Sequence, residues 1–212
     1  MKLNAKELRD IETSSARDHA VTVRRNPIYL ILENVYDTYN IGGLFRLADA
    51  LAIEKIFLCG QMETPPNGRI AKASIGTYKI VPWEYKENAK EVIEELRSKY
   101  VIPNLIRDPK KMLKQVQHDD EKRSFDSVQD YKKEIKIIAV EQSKNSKNYT
   151  KVDYTLPIAL VVGNETFGVS DETLKAVDEI VEIPMWGINK SLNVIVSAAI
   201  VAYHIMSKQN LS

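Results

Sequence analysis

Three stretches of this sequence carry side chains suited to binding and reaction: "YNIGGLFR" from Tyr39, "LVVGNETFGVS" from Leu160 and "IPMWGINKSLN" from Ile183. In the first, Gly42 and Gly43 are adjacent in a helix-compatible pattern. Read as the opening of a helix, they leave backbone N–H groups free to seat a phosphate. Arg46 follows one to two turns on, and its guanidinium grips a phosphate through two parallel bonds. The same residues also read as a helix cap beside a surface arginine. In the second stretch an apolar run ends at Gly163, and Asn164 and Glu165 follow at once. Gly168 closes that loop and Ser170 stands at a helix N-cap position. A carboxylate on such a loop calls for a partner from elsewhere in the chain. In the third, Pro184 stiffens a turn whose apolar side chains and free backbone edges suit an adenine ring. Ser191 and Asn193 then open a helix, where Ser191 also reads as a plain N-cap.

Other chemistries lack their residues. No G-x-G-x-x-G follows the first apolar run and no Walker A motif occurs. His19, His118 and His204 have no metal-ligand spacing, and no Ser-His-Asp or Cys-His arrangement can be argued. No metal is expected. His204, on the apolar closing helix, reads as a packed core or interface histidine.

The reactive stretches need elements to place them. Short β-branched runs read as strands at Ile28–Glu33, Lys55–Cys59, Tyr78–Trp83, Ile135–Glu141, Ile158–Gly163 and Glu179–Pro184. Most are apolar on both faces, as strands covered by helices on each side must be. Helical patterns lie between them, and the chain closes with one from Ser191 to Lys208. Leu3 to His19 reads as a short polar helix within an N-terminal extension, residues 1–22. The alternation predicts an α/β fold, a doubly wound parallel sheet with right-handed crossovers. Ligands of such sheets bind beyond the carboxyl ends of the strands, where all three stretches fall.

Residues 101–134 break the alternation with two prolines, mixed charge and little periodicity. They read as a surface insertion within one domain spanning 1–212. The other reading is an RNA-gripping arm charged by Lys110, Lys111, Lys114, Lys122 and Arg123. Their wording also resembles translated palindromic repeats found inside some bacterial genes.

The 212 residues, 44% apolar and 28% charged, are those of an ordinary globular chain able to bury a proper core. A net charge of +1 neither supports nor excludes a nucleic-acid partner. "VRR" (Val23–Arg25) and "GRIAK" (Gly68–Lys72) are local basic stretches, readable as RNA contacts or as solvated charge. The lone Cys59, in an apolar run, reads as a buried thiol in a reducing compartment. No signal peptide is visible and no apolar run reaches across a bilayer core of about 30 Å. A cytoplasmic protein with no membrane partner is the expectation.

In this order, the three stretches resemble the motifs of the SPOUT superfamily, in its SpoU/TrmH branch of RNA ribose 2'-O-methyltransferases. "NIGGLFRLADA", "ALVVGNETFGVSDETL" and "VEIPMWGINKSLNVIVSAAI" carry the resemblance. It also covers "RIAKASIGTYKIVPWE" and "KIIAVEQ", so it runs from about Pro27 to Met206 apart from the insertion. The resemblance implies a C-terminal trefoil knot, S-adenosylmethionine as cofactor, RNA (tRNA or rRNA) as substrate and a homodimer with its active site at the interface. By position, Asn40, Arg46, Glu165, Ser191 and Asn193 match residues the family uses for catalysis and substrate placement. Val162, Gly163, Asn164, Ile183, Pro184, Met185, Ser191, Leu192 and Asn193 would lie against the cofactor. The same resemblance leaves one alternative, a catalytically inactive RNA-binding dimer of the same fold. It begins close to the N-terminus, so the additional RNA-binding domain of many relatives is expected to be missing.

Overall fold

Side chains alternate across the strand Asn26–Glu33 (β1), and that alternation organises the molecule. Ile28, Leu30 and Leu32 enter one apolar cluster, while Tyr29 and Ile31 enter another on the opposite face. A computed structural model describes residues 3–10, 23–100 and 134–209. Beside β1 it contains β2 (Ile53–Cys59), β3 (Trp83–Lys86), β4 (Lys136–Val140), β5 (Lys147–Asn148), β6 (Ile158–Val162) and β7 (Glu179–Glu182). They form one sheet in the order β3-β2-β1-β6-β4-β7-β5. Every pairing is parallel. The α/β parallel architecture is therefore the one expected.

Helices cover both faces. Thr38–Ala50 (α2), Gly68–Ser74 (α3) and Val194–Lys208 (α6) pack over the first cluster, and Ala89–Tyr100 (α4) and Asp171–Ala176 (α5) over the second. A short helix, Ala5–Asp10 (α1), lies against the turn after α3, where Lys79 Nζ donates to the Arg9 carbonyl at 2.9 Å. The expected helix Leu3–His19 is present over these six residues; Leu3 and Asn4 precede it without helical structure, and 11–19 lie outside the described residues. So do 101–133, almost all of the expected insertion, and with them the proposed basic arm. Cys59 is fully buried, as its apolar run implied. Among the described residues no helix is long and apolar enough to cross a membrane.

Several expectations fail for local reasons. Tyr78–Trp83 is no strand: Thr77–Lys79 forms a 3-10 turn, and β3 starts only at Trp83. Ile75 and Gly76 both adopt positive φ and turn the chain, and Pro82 has no N–H to give a ladder. Arg25 is not solvated charge. Its guanidinium donates to the carbonyls of Ile53 at 3.0 Å and Ile80 at 2.9 Å, stitching the amino edge of the sheet. "GRIAK" belongs to α3, which Asn67 caps by accepting from the Arg69 and Ile70 amides.

Gly42 and Gly43 do not open a helix either. Asp37 caps α2 five residues before Gly42, its side chain accepting from Tyr39 N at 2.8 Å, and both glycines lie inside. Their role is close packing. A Cβ on Gly42 would meet Ala73 Cβ at 2.5 Å and the Ser74 amide at 2.8 Å, and one on Gly43 would strike Ile195 of α6. A phosphate seat at this pair is overturned.

Candidate functional site

Three loops meet beyond the carboxyl ends of β1, β6 and β7, and a directional hydrogen-bond relay joins them. It starts at Asn193, whose Oδ1 caps α6 by accepting from Ile195 N at 2.8 Å. With its oxygen committed, Asn193 turns Nδ2 outward and donates to Asn40 Oδ1 at 2.9 Å. Asn40 then has only Nδ2 left, which donates to Glu165 Oε1 at 2.8 Å. Each amide fixes the orientation of the next, and the relay ends on a carboxylate. The other oxygen, Glu165 Oε2, accepts from the Tyr36 amide at 3.4 Å. The N-cap of α6 is thus Asn193, and the reading of Ser191 as that cap is corrected.

The Glu165 loop is shaped by its own residues. Asn164 and Gly168 exchange backbone bonds of 3.0 and 2.8 Å, closing a tight turn. Asn164 Oδ1 accepts from the amides of Thr166 and Phe167, and its Nδ2 donates to the Asn34 carbonyl. Gly163 is required because a Cβ there would collide with the Gly168 backbone. Below the loop, Glu33 is buried, yet its oxygens accept from Ser170 N, Ser170 Oγ and Thr173 Oγ1 at 2.9, 2.8 and 2.7 Å. A buried carboxylate satisfied three times costs little and pins the start of α5. Ser170 caps that helix, as the sequence implied.

Beside the relay lies a cavity of about 260 Å³ between the ends of β4, β6 and β7 and the entry to α6. Of the residues expected against a cofactor, Val162, Gly163, Asn164, Ile183, Met185, Ser191 and Leu192 line it, and Pro184 and Asn193 do not. Glu165 and Ser191 of the expected catalytic set line it as well. Asn40 and Asn193 reach it through Glu165. Arg46 stands apart, exposed on α2 and six residues beyond Asn40, a rise of about 9 Å. It has no hydrogen-bond or ion-pair partner among the described residues.

Sequence reasoning missed two lining carboxylates. Glu141 directly follows β4 and accepts from Val169 N and Gln142 N at 2.9 and 2.8 Å, and Glu182 ends β7 and accepts from Ser146 Oγ at 2.8 Å. Glu141 closes the expected strand Ile135–Glu141 and Glu182 stands near the end of the expected Glu179–Pro184, where the carboxyl-end rule applies equally. With Glu165 they set three carboxylates against the ammonium of Lys190 in the lining, a formal excess of two negative charges. Such a cavity favours a ligand bearing positive charge, and Val162, Ile183 and Leu192 give it an apolar wall. That combination fits S-adenosylmethionine, whose sulfonium and ammonium together outweigh its one carboxylate and whose adenine ring is apolar on its faces. Among the described residues no group of three His, Cys, Asp or Glu is set to hold a metal.

Comparison with known proteins points the same way. The sequence matches the model of the SpoU rRNA Methylase family over residues 27–125 and 110–203. A tRNA (guanosine(18)-2'-O)-methyltransferase of Aquifex aeolicus is 48% identical over 69 residues, 32% of this chain and 33% of the relative. An enzyme of the same name from Thermus thermophilus is 27% identical over 193 residues, 91% of this chain and 81% of the relative. The crystal structure of the A. aeolicus TrmH/SpoU tRNA modifying enzyme superposes with a TM-score of 0.67 at 24% identity, over 92% of this chain and 81% of that one. The chain spans 33–60% of the length of the first curated relatives it matches.

Proposed function

The chain belongs to the SpoU rRNA methylase family, and from that premise we propose that it transfers a methyl group from S-adenosylmethionine to a ribose 2'-OH of tRNA or rRNA. The observation that carries the reading is the relay Asn193–Asn40–Glu165 standing beside an acid-lined cavity.

The donor, when bound, supplies a methyl group made electrophilic by its sulfonium. Val162 to Asn164, Ile183, Met185, Ser191 and Leu192 would hold it, with Glu141, Glu165 and Glu182 balancing its positive charge. The chain's own residues then position the acceptor. A ribose hydroxyl is a weak nucleophile, so holding it in line supplies much of the rate, on the order of 7–11 kcal/mol for well-oriented groups. Arg46, without a partner among the described residues, is free to clamp a substrate phosphate. Arginine titrates at about 12.5–13.8, so at neutral pH it acts as a cation and stabilises negative charge growing on the 2'-oxygen. DNA lacks that hydroxyl, which confines the reaction to RNA.

The unit at work is a homodimer in this reading. One stripe of α6 (Val194, Ala198, Val201, Ala202, Ile205) is buried in its own core, while Val196 and Tyr203 stay exposed on the other side, as do Trp186 and Ile188 nearby. A second copy would cover them. The C-terminal trefoil knot, a single domain over 1–212 with residues 1–22 as an extension and 101–134 as an insertion, and a cytoplasmic setting belong to the same proposal. The family match comes in two pieces, 27–125 and 110–203, whose overlap falls within the expected insertion and supports a break in the family pattern there.

Incubating the protein with S-adenosylmethionine and bulk tRNA and rRNA, then digesting to nucleosides for mass spectrometry, tests the function. A 2'-O-methylnucleoside is expected. Absence of both methylation and calorimetric cofactor binding would leave the inactive RNA-binding dimer.

A further inference from the structure

On the outer side of the relay, a groove is lined by Tyr36, Tyr39, Asn67 and Arg69, with Asp37 and Glu63 at its edges. Its two phenol rings are 51% and 54% exposed, unusual for side chains whose neighbours in sequence, Val35 and Asn40, are buried. Burial of Val35 turns Tyr36 outward. The start of α2 does the same for Tyr39, because Asn40 must face Glu165. Among the described residues neither ring has an aromatic contact, so both leave their faces open. Arg69 and Lys72, one turn apart on α3, are exposed, and their side chains have no ion-pair or hydrogen-bond partner among the described residues.

We infer that this groove is a second nucleotide subsite, in which an unpaired RNA base flanking the methylated nucleotide stacks on Tyr36 and Tyr39 while Arg69 and Lys72 hold its phosphates. The inference rests on the RNA reading of the adjacent site. Its chemistry is that of single-strand recognition, in which aromatic faces take bases of any sequence and cations follow the backbone. Position supports it: the Tyr36 amide itself points at Glu165, so a strand passing over the relay continues directly into the groove. Asp37 and Glu63 oppose a duplex, whose paired phosphates would meet their charge. A single strand avoids that charge by presenting a base to the rings and running its backbone along the side of Arg69 and Lys72.

The test uses a single-stranded RNA oligonucleotide containing 2-aminopurine, whose fluorescence falls on stacking. The full-length protein is expected to quench it. Y36A/Y39A should abolish quenching and weaken RNA binding about 5- to 150-fold, corresponding to about 1–3 kcal/mol for one stacked base. Y36F/Y39F, which keeps the rings, should restore both. Calorimetric affinity for S-adenosylmethionine should be the same in all three proteins, which separates a lost ring from a lost fold. Quenching that survives in Y36A/Y39A, or no quenching by the unaltered protein, overturns the inference. Failure of the methyltransferase reading would look different, because the unaltered protein would then quench the probe yet transfer no methyl group.

Discussion

Asn193 donates to Asn40 across 153 residues of sequence, and this 2.9 Å bond ties the entry of α6 to the first turn of α2. Because the Asn193 oxygen already caps α6 and the Asn40 amide already serves Glu165, the bond admits one orientation only. The two helices and the Glu165 loop are thereby set as one unit.

Replacing Asn40 by alanine strips Glu165 and Asn193 of their partner at a buried position. A loss of about 1–3 kcal/mol is expected. Urea denaturation of N40A, N193A and the double variant should show a coupling of about 0.5–3 kcal/mol. Strict additivity would mean that the relay contributes nothing to stability. Methyl transfer should fall in both single variants.

Arg46 lies outside the relay and outside the cavity lining, so R46A should fold normally and bind S-adenosylmethionine with unchanged affinity. Transfer to RNA should nevertheless be abolished. R46K should not rescue it, since an ammonium cannot form the two-pronged grip on phosphate. Full turnover in R46A would remove this residue from the mechanism.

The adjacent glycines of α2 should respond differently to alanine. In G42A the new methyl meets the backbone of Ser74, which cannot step aside, and overpacking should cost about 1–3 kcal/mol. In G43A it meets only the tip of Ile195, which can rotate, and alanine's helix preference returns about 1 kcal/mol. G43A should therefore keep its melting temperature while losing activity, because Ile195 sits two residues after Asn193. Thermal melts and turnover measured on both variants distinguish the two cases.

Burial pushes the Cys59 thiol up to about 12, helped by the charges of Glu33 and Glu91. Burial likewise raises the Tyr154 hydroxyl to about 12. The native state keeps these protons where the unfolded chain releases them, the thiol from about pH 8.5 and the phenol from about pH 10. Their contribution to stability is therefore complete below about pH 8.5 and is lost as pH rises toward 12. Denaturant unfolding should show a fall across that window, shallower in C59A. Thiol labelling of the native protein should occur only at the rate of unfolding.

Much of this was legible in the sequence. The strands at Ile28, Lys55, Ile135, Ile158 and Glu179 announce themselves by apolar runs, and Asn40, Glu165 and Asn193 stood out as polar residues at their carboxyl ends. Their pairing was not legible, since it spans 125 and 153 residues and no local pattern encodes it. Gly42 and Gly43 misled for a related reason. A glycine needed for free amides and one needed for a tight helix crossing look alike until the crossing partners, Ala73 and Ile195, are known. Pro82 held the information that Tyr78–Trp83 could not be a full strand, but the apolar residues around it spoke louder.

Tyr100, closing α4, is bonded through its hydroxyl to Tyr29 near the start of β1, and Lys136 begins β4. Both anchors lie at the amino edge, about 15 Å of strand away from Glu141 and the cavity. Among the described residues, the relay and the cavity are built from the opposite end of the sheet. A fluorophore or tether attached at the exposed Glu134, just before β4, would therefore report on the protein, or immobilise it, from the end of the sheet opposite the cavity.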